Sequence, residues 1–494
     1  MEATVEQITA AITALNDKYW YVVMALLFVA GVWFTIRTVG VQVRMLPEML
    51  RSVTAKSQTG FENDGVSPFR AFTISAASRV GTGNVAGVAI AIVIGGPGAV
   101  FWMWLLAIIG GATAFVESTL AQLYKQKGAD GYFGGPAYYI RDGLGAKWLA
   151  AVFAVAITVT YGFVFNAVQS NSISESVQAN WGASSTTAWI VGLGLAALTG
   201  LVIFGGVRRL SAVTNVLVPV MATFYIFLAL IVMVVNITEV PGMIALIVGH
   251  AFGLREVAGA AVGMTMVMQG VRRGMFSNEA GMGSAPNAAA TAAVSHPAKQ
   301  GFVQSLGVFF DTMLVCSITA FIVLLSNPTF GDERQGASLT QSALGMQLGD
   351  WAVHFLTVAI FLFAWSSVIG NYYYGESNIR FMTKSRAAMN IYRFAVLVCV
   401  FLGAMLALDL VWSLADLFMA LMATLNLIAL CMLAGVAAKV LANYMEQRKA
   451  GVEPVFKAGD VPGITGLSAW DGTDTVTLPV FWEQRANQKN GARR

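Results

Sequence analysis

The sequence predicts an all-α polytopic membrane protein with about eleven transmembrane helices. Of its 494 residues, 57% are apolar and only 11% are charged, whereas soluble proteins carry about 25% charged residues. The mean hydropathy is +0.68, and apolar stretches of about 20 residues or more, the length that crosses a bilayer, recur along the chain. These observations exclude a soluble globular protein.

Each predicted span is an apolar run that ends at charged residues, Gly/Pro clusters or polar loops. Residues 1–19 are expected to lie outside the membrane, ahead of an extra helix at 20–39. Residues 443–494 are polar and proline-containing, and are expected to form a solvated cytoplasmic tail of little functional importance. The predicted spans are 20–39, 69–94, 98–124, 147–176, 186–205, 211–236, 262–293, 301–326, 351–379, 389–408 and 411–442.

The basic residues predict the orientation of the chain. Lysines and arginines concentrate in residues 37–56, 125–147, 208–209, 299 and 380–386 and in the tail, whereas the alternate loops hold only two arginines, Arg255 and Arg334. Because positively charged loops stay in the cytoplasm, we expect the N-terminus outside and the C-terminus inside. The first residues lack a basic region, which argues against a cleaved signal peptide.

Several classes of function are disfavoured by the polar residues. The three cysteines lie within apolar stretches and the three histidines are far apart, so we expect no disulfide framework, no transition-metal site and no bound cofactor. The net charge of +4 is dispersed, and a nucleic-acid partner is not expected. The histidines fall at loops or span ends, which argues against a membrane-embedded serine–histidine enzyme.

Two glycine-containing segments indicate an internal repeat. Ser78–Asn84 reads SRVGTGN and Asn278–Ser284 reads NEAGMGS, each with Gly-x-Gly in a predicted span and a charge beside it. The two motifs are 200 residues apart, and Pro97 and Pro297 share that offset. Charges at membrane depth are costly and usually functional. The matched spacing therefore indicates a repeat with a special role.

The repeat divides the remaining spans into two halves of five helices, at 69–236 and 257–442. By the charge rule, the first helices of the halves cross the membrane in opposite directions, so the halves are inverted. Broken helices at matching positions of inverted halves indicate the substrate site of a secondary transporter. Simple helix packing is the alternative for such glycines. A channel filter is another, disfavoured because the symmetry lies within one chain.

The same geometry makes a prediction for a pair of arginines near the second motif. With a rise of about 1.5 Å per residue, Arg272 and Arg273 should lie near the outer surface and away from the bilayer centre. On that interpretation, residues 258–270 form a short helix on the outer surface.

Longer stretches carry a family resemblance. The segments SRVGTGNVAGVAIAIVIGGPGAVFWMW (78–104), FVESTLAQLYK (115–125), FGGPAYYI (133–140), FSNEAGMGSAPNAAATA (276–292) and YYYGE (372–376) resemble the alanine or glycine:cation symporter family of bacteria and archaea. The resemblance implies a LeuT-type fold in the plasma (inner) membrane and alternating access by a monomeric unit. It also implies sodium-coupled, in some members proton-coupled, uptake of small neutral amino acids: L-alanine, D-alanine or glycine.

A zwitterionic substrate needs partners for its carboxylate and its ammonium. Backbone N–H groups at the start of a half-helix suit the carboxylate, and exposed carbonyls with side-chain oxygens suit the ammonium. Gln169 is expected to contact substrate because the family has a glutamine there, although an interhelical packing bond is its alternative role. The predicted substrate contacts are Thr82, Gly83, Asn84, Gln169, Phe276, Ser277, Gly281, Ser367 and Asn371.

Sodium requires several oxygen ligands. Ser366 and Ser367 form a hydroxyl pair in an apolar span, and the LeuT-type fold places such a pair against the first break. The resemblance therefore implies a sodium site made by the carbonyls of Ala77 and Val80 with both serines. A serine that bonds back to its own helix is the alternative. A second sodium site near Asn84 has no support in the sequence.

One position departs from the family pattern. Many members have a tryptophan three residues before Tyr-Gly-Glu, where this chain has Asn371. An amide is smaller and forms hydrogen bonds, so the pocket is expected to admit a larger or more polar amino acid, serine and glutamine being candidates. A sodium- or proton-coupled carrier for such an amino acid is the second interpretation.

Charged residues inside the predicted spans are expected to be paired, since isolated charges at depth cost roughly 2.5–3.5 kcal/mol. An ion pair of Arg79 with Glu279 is the first candidate, with Glu117 or Asp311 as other partners. Such pairs would act as gates or as structural ties. For proton coupling, Glu279 or Asp311 would have to titrate. The charges concerned are Arg79, Glu117, Glu279, Asp311 and Glu376.

Overall fold

A computed structural model describes residues 2–54, 66–128, 131–331, 336–474 and 477–478. The predicted all-α class is confirmed. The first half contains α1 (Glu2–Arg37), α2 (Val41–Arg44), α3 (Leu46–Val53), α4 (Pro68–Arg79), α5 (Val88–Gly95), α6 (Gly98–Leu123), β1 (Gln126–Gly128), β2 (Gly131–Phe133), α7 (Pro136–Gly143), α8 (Lys147–Val159), α9 (Phe165–Trp181), α10 (Ser185–Ile203) and α11 (Gly206–Val235).

The second half contains α12 (Val240–Ala251), α13 (Met264–Asn278), α14 (Ala285–Ala289), α15 (Ala298–Val308), α16 (Ser317–Leu325), α17 (Ala337–Leu348), α18 (Asp350–Met382), α19 (Arg386–Gly403) and α20 (Leu408–Lys449). Three π-helical segments connect helices: Gly83–Gly87, Thr160–Val164 and Phe309–Cys316. Strands β1 and β2 form an antiparallel hairpin in which Lys127 lies opposite Tyr132.

The number of spans differs from the predicted eleven. Nine helices of the described chain are long and apolar enough to cross a membrane when the π-helical segments are counted as part of them. The bent pair of α4 and Gly83–Gly95 makes a tenth span if it is counted as one. The predicted span at 262–293 consists of α13, a break and the five-residue α14, so it does not qualify by length. The count of eleven is not confirmed.

Two predicted boundaries are wrong. Residues 2–19 belong to α1, which packs along α20, where Asn16 Nδ2 donates to the Ser413 carbonyl at 2.8 Å. Residues 258–270 do not form a surface helix, because Gly259 and Gly263 adopt positive φ angles of 77° and 62° that L side chains rarely adopt and that end a helix. The short apolar helix of this region is α12.

The prediction of a solvated tail is wrong for residues 450–474. Helix α20 continues to Lys449, and the chain then folds back so that Phe456 N–H donates to the Ser295 carbonyl at 2.8 Å. Trp470 is 1% exposed and its Nε1 donates to the carbonyls of Gln122 and Leu123 at 3.2 and 3.0 Å. Residues 475–476 and 479–494 lie outside the described part. The indole N–H of Trp470 thus satisfies carbonyls that the end of α6 leaves open.

Helix α6 packs against α13 and α15, while α18 packs against α4 and α9. Both Gly-x-Gly segments lie inside these contacts, and residues 78–84 and 278–284 are buried throughout. Irregular backbone at this depth requires partners from neighbouring helices. The helices around the two segments therefore supply the partners of the broken backbone.

Candidate functional site

The first predicted segment is a break between α4 and α5. Val80 leaves the helical conformation at φ −80° and ψ 87°, and the flanking helices meet at a bend of 51°. Gly81 N–H donates to Asn84 Oδ1 at 2.9 Å, and Thr82 N–H donates to Gln169 Oε1 at 3.3 Å. The start of the second half-helix thus presents N–H groups to side-chain oxygens, the geometry that suits an anion.

Helix α18 reaches the first break through one serine. Ser367 Oγ lies 2.9 Å from the Ala77 carbonyl and 3.0 Å from the Phe363 carbonyl. Ser366 Oγ also donates to Phe363 O, at 2.8 Å, but its other contact is Met221 Sδ at 3.5 Å and not the break. Of the two predicted ion ligands in α18, the structure brings Ser367 to the break and directs Ser366 elsewhere.

Close contacts require two glycines at the first break. A Cβ atom on Gly81 would collide with Ser367 Oγ, and one on Gly83 would lie 2.8 Å from Phe276 Cδ1. Real Cβ atoms essentially never come that close to another heavy atom. Glycine at these positions lets α18 and α13 approach the broken backbone directly.

The second predicted segment is a break between α13 and α14. Glu279, Gly281 and Gly283 adopt positive φ angles of 57°, 87° and 80°, and for the glutamate this left-handed conformation costs about 1–2 kcal/mol. Glu117 of α6 accepts the N–H groups of Gly281 and Gly283 at 3.3 and 3.2 Å. Asn426 Nδ2 donates to Glu117 and to the Gly281 carbonyl, both at 3.0 Å. Two buried side chains therefore hold the unwound backbone.

The Glu279 carboxylate connects the two breaks. Its Oε1 accepts from Ser78 Oγ at 2.6 Å and its Oε2 from Ser284 Oγ at 2.8 Å. Ser78 Oγ also lies 2.7 Å from the amide of Asn371. The structure thus places Asn371 beside the end of α4, 1% exposed, where its amide extends this polar network.

Asp311 forms a second connection between the breaks. Asn84 Nδ2 donates to its Oδ1 at 2.6 Å, and Ser277 Oγ donates to its Oδ2. Asn84 Nδ2 also lies 3.0 Å from Ser277 Oγ, and Cys316 Sγ is 3.0 Å from the same hydroxyl. One carboxylate, one amide and one hydroxyl from three helices thus meet between the half-helices.

Aromatic rings cover one side of the breaks. The Phe276 ring lies 4.7 Å from Phe165 and 4.8 Å from Trp412 between centroids. The Arg273 guanidinium is 4.7 Å from the Trp412 ring and forms a buried ion pair with Asp416. This ion pair joins α13 to α20 next to the Trp412 ring.

The predicted position of the arginine pair near the outer membrane surface stays a prediction, and the structure shows its partners. Arg272 Nη2 lies 3.2 Å from Asp17 Oδ1, and Asp17 is itself half-exposed. Both arginines are 2% exposed, and they pair with residues of α1 and α20. Ion pairing makes that burial tolerable.

Among the other buried charges, one of the expected ion pairs forms. Glu376 pairs with Arg380 at 2.6 Å. Arg79 Nη1 donates to the Gln304 carbonyl at 3.3 Å, and within the described ranges no carboxylate lies within 4.0 Å of its guanidinium. The expected pair with Glu279, Glu117 or Asp311 is therefore wrong. N–H and O–H groups are the hydrogen-bond partners of these three carboxylates, and the charge of Arg79 acts on them from beyond ion-pair distance.

Comparison with known protein families identifies the family of this chain. Residues 5–458 match the profile of the sodium:alanine symporter family. The chain belongs to that family. The matched residues extend from α1 into the docked tail, so they include both breaks.

Two bacterial relatives match most of the length of this chain. The amino-acid carrier protein AlsT of Bacillus subtilis (strain 168) is 52% identical over 456 residues, which cover 92% of this chain and 96% of the relative. The probable sodium/glutamine symporter GlnT of the same strain is 49% identical over 463 residues, which cover 94% and 96%.

A solved structure supports the fold. The crystal structure of MhsT in complex with L-phenylalanine matches with a TM-score of 0.52 at 13% identity, covering 77% of this chain and 99% of that one. At this identity the match shows the fold alone. It confirms the LeuT-type fold that the resemblance implies for the family member.

Four residues around the two breaks were not predicted from the sequence. Asp416 and Asn426 are polar residues inside the predicted span 411–442, and polar residues at that depth are a recognisable functional signal. Trp412 and Cys316 carry no comparable signal, because an apolar or weakly polar residue in an apolar span is ordinary. Only their contacts with Phe276 and Ser277 place them at the site.

Proposed function

We propose that this protein is a secondary symporter that imports a small neutral amino acid of the alanine and glycine class together with sodium, by alternating access. The observation that carries the proposal is the convergence of both broken helices on Asp311, with Ser367 of α18 against the first break. Broken half-helices supply free backbone groups for a charged substrate and a cation. Membership of the sodium:alanine symporter family supports the substrate class and the ion.

The substrate carboxylate binds at the start of the second half-helix, at Thr82, Gly83 and Asn84. The N–H of Thr82 faces a side-chain oxygen of Gln169, and a carboxylate oxygen would be received in the same way. The ammonium binds oxygens near the second break, at Phe276, Ser277 and Gly281. The close approach of Gly83 to Phe276 brings the two breaks together, which supports a single binding site made by both.

Sodium binds at the first break. Its ligands are the carbonyls of Ala77 and Val80 and the hydroxyl of Ser367, a set of oxygens that suits a hard cation. The distance of 2.9 Å between Ser367 Oγ and Ala77 O supports this assignment. Ser366 bonds to its own helix and is not proposed as a ligand.

A second candidate substrate is a larger polar amino acid such as glutamine or serine, carried with sodium or protons. Asn371 stands in the polar network of Ser78 and Glu279, where its amide offers a hydrogen bond to a polar side chain. The probable sodium/glutamine symporter GlnT is 49% identical to this chain. Proton coupling would require titration of Glu279 or Asp311.

The proposed setting is the plasma (inner) membrane of a bacterium or archaeon, with one chain as the working unit. The N-terminus is placed outside and the C-terminus in the cytoplasm. The distribution of lysine and arginine among the loops supports this orientation.

Uptake into proteoliposomes tests the proposal. Labelled L-alanine is offered under an inward sodium gradient, a matched potassium gradient or a proton gradient, with unlabelled D-alanine, glycine, serine and glutamine as competitors. Saturable uptake that requires sodium and is competed by glycine and D-alanine is the expected result. Stronger competition by glutamine than by glycine would favour the second candidate, and uptake driven equally by protons would contradict sodium coupling.

A further inference from the structure

A cavity lies along α18, away from the breaks. It has a volume of about 320 Å³ and opens between α4, α18, the β1–β2 hairpin and the chain after α14. Ile74, Tyr132, Thr291 and Glu376 contribute to its walls. This size is at the lower end of the range for small-molecule sites, roughly 300–1,000 Å³.

Glu376 is the unusual residue of this cavity. It is 1% exposed, and its Oε1 accepts from Arg380 Nη2 at 2.6 Å. Its Oε2 is buried and accepts no hydrogen bond within 3.5 Å among the described residues, although the Tyr372 hydroxyl interacts with the same carboxylate. A buried carboxylate oxygen without a hydrogen-bond donor is costly. At the wall of the cavity, Glu376 therefore keeps an acceptor oxygen that a cationic donor would satisfy better.

Arg380 supplies the complementary group one turn further along α18. Its side chain is 46% exposed, and it also lines the cavity. A guanidinium carries five N–H donors, so the contact with Glu376 leaves others for an anion. A carboxylate and a guanidinium side by side match a molecule that carries both an ammonium and a carboxylate.

The cavity is separate from the proposed transport site but shares its helix. Ser367 and Glu376 are nine residues apart on α18, which corresponds to roughly 14 Å along the helix axis. A small amino acid is much shorter than that separation, so one molecule does not occupy both positions. Helix α4 also reaches both places, through Ala77 at the break and Ile74 at the cavity.

We propose that this cavity is a second amino-acid subsite, in which Glu376 binds the substrate ammonium and Arg380 binds its carboxylate. The inference rests on the proposed function and adds a station between the central site and the face that carries the basic loops. Apolar walls, such as Ile74 and Phe133, strengthen the polar contacts inside. The subsite lacks the Ala77–Ser367 oxygen set, so its occupation does not require sodium.

Saturation-transfer-difference NMR on the full-length protein in lipid nanodiscs tests the subsite. L-alanine is the ligand, in potassium buffer free of sodium, and the Gly83→Val variant removes binding at the central site. A saturable L-alanine signal that remains in this variant is expected. Propionate and ethylamine, which each lack one of the two charges, should compete much more weakly than glycine. Absence of the signal, or equal competition by propionate, would overturn the subsite.

Substitutions locate the signal. Glu376→Gln in the Gly83→Val background should weaken L-alanine binding about tenfold or more, the loss expected for a hydrogen bond to a charged group. Arg386→Gln is the matched control, since Arg386 is an exposed cation that begins the next helix. If Glu376→Gln does not elute as a folded protein, Arg380→Gln replaces it. Unchanged binding in the folded variant would contradict the assignment.

Failure of this inference is distinguishable from failure of the proposed function. Wild-type protein is measured in parallel for sodium-dependent L-alanine binding. Sodium-dependent binding without the residual sodium-free signal would refute only the subsite. Absence of any sodium-dependent binding or uptake of the tested amino acids would refute the proposed function, whatever the sodium-free signal shows.

Discussion

Asn84 of the first break donates from Nδ2 to Oδ1 of Asp311 at 2.6 Å. The other oxygen of the same carboxylate accepts from Ser277, at the end of α13. Asp311 belongs to neither broken helix, so it links the two repeats through a third element. A contact of this kind is expected to be remade when the halves move relative to each other.

Replacing Asp311 tests this link. Asp311→Asn keeps the shape of the side chain but removes the charge that strengthens both hydrogen bonds. We expect sodium-driven alanine uptake to fall roughly tenfold or more, the equivalent of about 1.5–3 kcal/mol for hydrogen bonds to a charged group. Asp350→Asn, at the exposed first residue of α18, should transport as the wild type does. Normal uptake by Asp311→Asn would show that the link is dispensable.

The adjacent serines of α18 offer a matched pair for the sodium site. Ser367→Ala removes the hydroxyl that lies 2.9 Å from the Ala77 carbonyl, and we expect the sodium concentration for half-maximal uptake to rise several-fold. Ser366→Ala removes a hydroxyl bonded within its own helix and should leave the sodium dependence unchanged. Uptake is measured over a sodium titration at saturating alanine. An equal effect of both substitutions would contradict the assignment of Ser367.

Two glycines near the first break make a second pair. Gly83→Ala places a Cβ atom 2.8 Å from Phe276 Cδ1, whereas Gly87→Ala meets only ordinary contacts, the nearest 3.6 Å from Trp412. We expect Gly83→Ala to weaken equilibrium alanine binding strongly while the protein remains folded, and Gly87→Ala to bind normally. Labelled alanine binding and size-exclusion elution measure the two properties. Normal affinity in Gly83→Ala would exclude the first break from the binding site.

Glu117 tests the support of the second break. Glu117→Gln leaves one side-chain oxygen for the two N–H groups of Gly281 and Gly283, so one of these N–H groups loses its acceptor. We expect a stability loss of about 1–3 kcal/mol, seen as a lower melting temperature in detergent. Glu446→Gln, on the exposed surface of α20, is the control. A melting temperature unchanged by Glu117→Gln would mean that the break is held by other contacts.

The docked tail should respond to pH through His296. Burial lowers the pKa of His296 from 6.5 to about 3, opposed by Asn443 and reinforced by the charge of Lys299. The ring packs edge-on against Tyr444 and Phe456. The unfolded state binds a proton below pH 6.5 while the folded state does not. Stability from this group is therefore present above pH 6.5 and is lost progressively as the pH falls towards 3.

At pH 5 this loss amounts to about 2 kcal/mol. We expect faster hydrogen exchange in residues 452–474 at pH 5 than at pH 7, after correction for the intrinsic rates. His296→Phe keeps a ring against Tyr444 and Phe456 but does not titrate, so its tail should exchange equally at both pH values. Equal exchange in the wild type would show that His296 does not control the tail.

The sequence predicted the two breaks correctly because their cause is local. Gly81 and Gly83, and their counterparts 200 residues later, interrupt apolar stretches with residues that favour irregular backbone, and no distant contact is needed to see it. Asn84 and Ser277 were predicted to share the substrate site, whereas Asp311 was predicted only as a charge that pairs, gates or titrates. Their actual hydrogen bonds depend on how three helices cross.

Partners of the buried charges show where prediction from sequence ended. Glu117 was expected to require a cation, but its partners are backbone N–H groups 164 and 166 residues away. A backbone group has the same chemical identity at every residue, so the sequence does not reveal which one a carboxylate will reach. Arg79 was likewise expected to pair with a carboxylate, but its hydrogen-bond partner is the backbone carbonyl of Gln304.

By itself, the sequence determined the membrane class, the positions of most apolar helices and the two breaks, since hydropathy and glycine placement act within one helix. Only the tertiary structure decided that Ser367 and not Ser366 faces Ala77, and that Trp470 docks on the end of α6. Neighbouring residues on a helix point about 100° apart, so the crossing of α18 and α4 selects one of them. Hydrogen bonds and packing between distant segments are properties of the folded chain.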